Sequence, residues 1–141
     1  MGFIILASMR KSWKDKMNID KSYVVKRLEK KFSDMKEGEN MLIATPMIID
    51  EYIKQIPKGI NVNIKTLRRD LALTYNADTT CPLTTGIFIR IVSEAAYENF
   101  LNGDRNITPF WRVVDHESKS ASKLACGINF IKKRRIEENI I

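Results

Sequence analysis

The chain carries few side chains able to do covalent or acid–base chemistry: one histidine, His116, and two cysteines, Cys81 and Cys126, in 141 residues. A Ser-His-Asp arrangement would have to run through His116. A zinc site would have to draw its other ligands from scattered cysteines and carboxylates, because no CxxC pair or His/Cys cluster is present. No metal and no cofactor is therefore expected. Cys81 stands just before a proline-led helix start, where a helix N-terminus lowers a thiol pKa; the better reading is a buried or half-buried inert thiol. Two cysteines in a chain with no secretory context argue for free thiols in a reducing, cytoplasmic compartment.

A different chemistry is written in Ile107 to Val114, ITPFWRVV, where Phe110 and Trp111 sit between Pro109 and Arg112 and run into a β-branched pair. Two adjacent aromatic rings offer either a stacking surface or filling for a core. The net charge of +7 favours a polyanionic partner, because neutralising phosphates releases counterions. Its excess lies at the ends: 10 Lys/Arg against 6 Asp/Glu in residues 1–40, 6 against 6 in 41–100, and 8 against 5 in 101–141. A solvated basic surface without a nucleic-acid partner is the alternative.

These residues need a scaffold, and length and composition predict one domain with a real core, residues 41–141, preceded by a basic arm, residues 1–40. The opening Gly2–Ala7 is apolar but too short to cross a membrane; it reads as a short strand or as a consequence of start-site choice, with Met9 a sensible first residue. In the arm, Val24 or Val25, Leu28, Phe32 and Met35 fall on one stripe of a helix of roughly three turns.

Thr45 and Pro46 then write a helix start, N-cap followed by proline at the first helical position, and Pro57-Lys58-Gly59 ends that helix. Asn63 caps the next, from about Ile64 to Tyr75, with Leu67 and Leu71 inward and Lys65, Arg68 and Arg69 outward; Asn76 closes it in a left-handed conformation. A third helix begins near Leu83 or Thr84 and places Ile87, Phe88, Ile91, Val92, Ala95, Ala96 and Phe100 inward until Asn102-Gly103. Two helices joined in this way form a helix-turn-helix pattern. Ile107–Val114 follows as a short strand, Asp115–Ser122 as a polar turn, and a last helix from about Gly127 to Asn139 carries Ile128, Ile131 and Ile136 inward around Lys132–Arg135. The fold class predicted is mostly α: a winged helix-turn-helix-like domain with a short strand or wing and an N-terminal basic helical arm.

From Ile56 to Asn139 the order of landmarks resembles the DNA-binding domain of methylated-DNA-protein cysteine methyltransferases and their alkyltransferase-like relatives. Ile56-Pro57-Lys58-Gly59 looks like the family's IPxG, Pro82-Leu83-Thr84-Thr85-Gly86 like its P-R-A-V-G, and Pro109-Phe110-Trp111-Arg112-Val113-Val114 like its P-C-H-R-V-V. Cys126-Gly127 opens a lysine-bearing helix that runs to Glu138. The resemblance implies that Phe110 stands where the alkyl-accepting cysteine would be and Trp111 where its histidine would be. A phenyl ring has no lone pair with which to attack an alkyl carbon, so no methyl transfer is expected at this position.

The resemblance further implies a non-catalytic, monomeric protein that binds double-stranded DNA, reads alkylated guanine and hands it to a repair partner. Leu83, Thr84, Thr85 and Arg90 would lie near the groove, Arg68, Arg69 and Arg112 would contact phosphates, and Phe110 and Trp111 would line the base pocket. Leu83 replaces the family's intercalating arginine and Ile64 its phosphate-rotating tyrosine, although apolar wedges also enter minor grooves. The loss of nucleophile, arginine and tyrosine together is what a winged-helix protein-interaction or regulatory module would show. A reaction through Cys81 is the remaining alternative.

Overall fold

A computed structural model describes residues 12–140, so the Gly2–Ala7 stretch and Met9 lie outside the described residues. Among these residues there are five α-helices and a three-stranded sheet. Helix α1 (Trp13–Met17) is capped by Ser12, whose side chain accepts from Asp15 N while Asp15 bonds back. Strands β1 (Val24–Arg27) and β2 (Asn40–Ile43) pair antiparallel, Val24 opposite Ile43, and β3 (Thr79–Thr80) joins β2 in parallel, Leu42 opposite Thr80.

Between β2 and β3 the chain makes the crossover a parallel pair requires, through α2 (Pro46–Lys54) and α3 (Ile64–Thr74). Helix α4 (Pro82–Leu101) is the long axis of the core, and α5 (Ile128–Glu137) closes the fold. The main core gathers Leu42, Ile49, Ile53, Leu67, Ile89, Val92, Phe110 and Ile131, with α1, α2 and the 110–112 turn all packed on α4. No helix among the described residues is long and apolar enough to cross a membrane.

The locally encoded features stand as expected. Thr45 Oγ1 accepts from Ile48 N at 3.2 Å, Asn63 Oδ1 accepts from Thr66 N at 2.9 Å, and Asn76 turns left-handed with φ 55°. Asp115–Ser120 is a polar turn, with Ser118 N bonded to Asp115 O at 3.0 Å, and the expected span to Ser122 runs into a 3₁₀ turn, Ala121–Lys123.

Two elements differ from expectation. Residues 24–35 are not a helix: Val24–Arg27 is a strand, and Phe32 and Met35 form an isolated bridge in the loop that returns to β2. Leu28 and Met35 do share one buried cluster, with Met41 and Cys81, but they reach it through a hairpin loop. The helical spacing was satisfied by another geometry, and the β-branched pair took the strand that pairing with residues 40–43 offered. Ile107–Val114 is not a strand either; Phe110–Arg112 forms a 3₁₀ turn. A strand would alternate its faces, whereas Phe110, Trp111, Val113 and Val114 are all buried, and the turn brings them to a core that surrounds it. The connection from α3 to α4 likewise carries β3, and α4 starts at Pro82.

Candidate functional site

The 3₁₀ turn is fixed by one carboxylate. Trp111 Nε1 donates to Glu138 Oε2 at 2.8 Å; Arg112 Nε donates to Oε1 at 2.8 Å and Arg112 Nη2 to Oε2 at 3.0 Å; Gly59 N donates to Oε1 at 3.0 Å. Arg112 Nη1 also donates to Ile56 O at 2.7 Å. Three sequence landmarks, the Ile56–Gly59 turn, the 109–114 segment and the end of α5, thus meet at Glu138. Gly59 takes φ +86°, and a Cβ there would stand 3.2 Å from Glu138 O, so the turn admits a side chain only with strain. Burial pushes the Glu138 carboxyl up, but the Arg112 guanidinium and the Gly59 and Trp111 N–H groups outweigh it and hold the pKa down at about 2.

Behind this anchor Phe110 is fully buried, its ring 6.1 Å from and nearly parallel to Phe130 and 5.5 Å from Trp111. Arg135, the last residue of the KKRR run, is buried too, donating to Trp111 O at 2.7 Å and to Asn61 Oδ1 at 3.0 Å. Ile131 faces the core, while Ile128 and Ile136 are exposed. A helix has one inward stripe, and Arg135, four residues after Ile131, occupies it because polar partners wait there.

The residues expected to touch DNA do not gather at one site. Leu83 and Arg90 line one groove of about 420 Å³ with Ile64, Ile87 and Lys123, so the two positions at which the resemblance places an arginine and a tyrosine share a wall. Leu83, Ile64 and Ile87 are exposed; Ile87, expected inward, faces out, and Ile89 enters the core instead. Three consecutive apolar residues on a helix cannot all face inward, and that was the available signal. Arg90 also lies 5.4 Å over the Trp13 ring, and its Nε is 3.9 Å from Glu94. Thr84 is half-buried with an unpartnered Oγ1, and Thr85 is buried, its hydroxyl donating to Cys81 O at 2.6 Å.

Arg69 is exposed as expected; Arg68 is not. Its Nε donates to Thr80 O at 2.8 Å, and its two Nη groups grip the Asp34 carboxylate at 2.8 Å each, locking α3 to β3 and to the β1–β2 loop. Both Arg68 and Arg112 spend their guanidinium forks inside the fold. Phe110 borders neither the Leu83 groove nor the cleft beside Trp111. Trp111 borders a separate cleft of about 500 Å³, with Lys58, Arg105 and Arg134, residues that sequence reasoning left unassigned.

Cys81 is buried and Cys126 half-buried, both free. Burial, then the Glu94 charge, pushes the Cys126 thiol up to about 11. Among the described residues no group of three His, Cys, Asp or Glu side chains is placed to hold a metal ion. No protein-family model, no curated protein and no solved structure matches the chain.

Proposed function

We propose that the chain is a non-catalytic double-stranded-DNA-binding protein of the alkyltransferase-like kind that reads alkylated guanine for a repair partner in the cytoplasm. Its scaffold is read as a winged helix-turn-helix, with α3 and α4 as the helix pair and the polar 115–123 loop as the wing. The observation that carries the reading is the meeting of Gly59, Trp111, Arg112 and Glu138 at one carboxylate. The resemblance pairs the residue at position 111 with the glutamate near the chain's end, and Trp111 makes that bond in histidine's place.

The DNA face comprises Leu83 as an apolar wedge, the outer face of Thr84, and the cations Arg90, Lys123 and Arg69. Arg68, Arg112 and Thr85 are left out because their polar groups are used internally. A lesion base rests against the Ile64–Leu83–Ile87 groove, and Phe110 acts as core beneath the site. With phenylalanine at position 110 there is no acceptor atom, so recognition proceeds without transfer.

Fluorescence anisotropy with duplexes containing guanine or O6-methylguanine, at several salt concentrations, tests the reading. Salt-steep binding that prefers the lesion is the expected result. Absence of binding at low salt overturns it in favour of an interaction or regulatory module.

A further inference from the structure

The cleft of about 500 Å³ beside Trp111 shares no lining residue with the Leu83 groove. Its walls are the end of α2 and the following turn, the 105–109 loop and the last turn of α5. The loop is held by Thr108, whose hydroxyl donates to buried Asp50 at 2.7 Å, and Asp50 also pairs with Lys54 at 3.0 Å. Arg112, on the inner wall, is taken by Glu138.

Three cations of the cleft, Lys58, Arg105 and Arg134, have no carboxylate within 4 Å among the described residues. Glu137 is the cleft's other carboxylate and is exposed. Arg134 is held in an unusual way. Its guanidinium carbon lies 4.9 Å from the Trp111 ring centroid, 5.2 Å from Phe130 and 5.4 Å from Phe100, and Arg105 lies 5.9 Å from Phe100. Aromatic faces fix a guanidinium without using its N–H donors. Arg134 is half-buried and restrained by these rings, yet its guanidinium is bonded to no acceptor among the described residues.

We infer that this cleft binds a phosphate monoester, with Arg134 as the preorganised fork and Lys58 and Arg105 as the accompanying charges. A planar fork beside two more cations matches a doubly charged phosphoryl group better than a single carboxylate. The volume exceeds that of phosphate alone and leaves room for a nucleoside-sized remainder. The same group is offered by a free nucleotide and by the 5′ end of a DNA strand. The site stands independently of the DNA face.

Trp111 supplies the readout. In the 141-residue chain carrying Trp13→Phe, Trp111 is the only tryptophan. Its emission is followed on addition of sodium phosphate, adenosine 5′-monophosphate, and a trinucleotide with or without a 5′-phosphate, against sodium chloride at equal ionic strength. Phosphate and the monophosphate give a saturating change that chloride does not, and Arg134→Gln weakens it about tenfold, the effect of losing one charge-assisted contact. Because Arg134→Gln also loosens the aromatic cluster, Lys58→Gln and Arg105→Gln, both exposed loop residues, are tested beside it and weaken binding severalfold. A phosphorylated trinucleotide that binds more tightly than its hydroxyl twin identifies strand ends as the source; equal trinucleotides with a tight monophosphate identify the free nucleotide. A response that follows ionic strength alone, or one unchanged by Lys58→Gln and Arg105→Gln, overturns the site.

Discussion

Trp111 Nε1 and Glu138 Oε2 are joined at 2.8 Å, although 27 positions separate the residues along the chain. The bond closes the 3₁₀ turn against the end of α5 and leaves Glu138 saturated by Arg112 and Gly59 on its remaining lone pairs. A carboxylate this well bonded makes stability depend on acid.

The folded pKa of Glu138 lies near 2, below its ordinary 4.5. Its contribution is therefore complete above pH 4.5 and is lost as the pH falls toward 2. Glu138→Gln should lower stability at pH 7 by about 3 kcal/mol. Urea unfolding at pH 7, 4 and 3 should show the two proteins converging in acid, and a gap that stays constant would refute the assignment.

Gly59→Ala forces an L side chain into φ +86° and against Glu138 O at 3.2 Å. A loss of about 1–2 kcal/mol follows, read as a drop in thermal midpoint. An unchanged midpoint would mean that the turn is free to relax.

Arg68 and Arg69 are neighbours with opposite fates. Arg68→Ala removes three hydrogen bonds and leaves Thr80 O unpaired in the interior, a loss of about 2–3 kcal/mol; Arg69→Ala should stay within roughly 0.5 kcal/mol. Equal effects in chemical denaturation would contradict the placement of the two side chains.

On the proposed DNA face, Arg90→Gln and Lys123→Gln should each weaken duplex binding across all sequences and lower the salt slope by about 1. Leu83→Ala should reduce lesion preference more than overall affinity. Circular dichroism melts should remain unchanged for Leu83→Ala and Lys123→Gln, since both side chains are exposed.

Neither thiol should accept an alkyl group. Cys81 is 5% exposed and the Cys126 thiol is pushed up to about 11, so almost no thiolate is available there at pH 7. Intact mass after incubation with O6-methylguanine duplex should be unchanged, and a gain of one methyl group would restore the enzymatic alternative.

Sequence alone determined what is decided within a few residues: the caps at Thr45 and Asn63, the left-handed Asn76, the polar turn after Val114, and the absence of any nucleophile at position 110. Capping and turn chemistry act between neighbours, so their physics is complete in a short window. The tertiary structure decided the rest. Val24–Arg27 became a strand because residues 40–43 supplied the ladder. Phe110 became core because α4 and α5 enclose it. Arg68, Arg112 and Arg135 turned inward because Asp34, Glu138, Asn61 and Trp111 O met them there. Local spacing cannot tell an arginine that seeks water from one that will be buried. A guanidinium enters the interior only where acceptors repay its lost hydration, and those acceptors come from 24 to 74 positions away, where only the folded chain brings them.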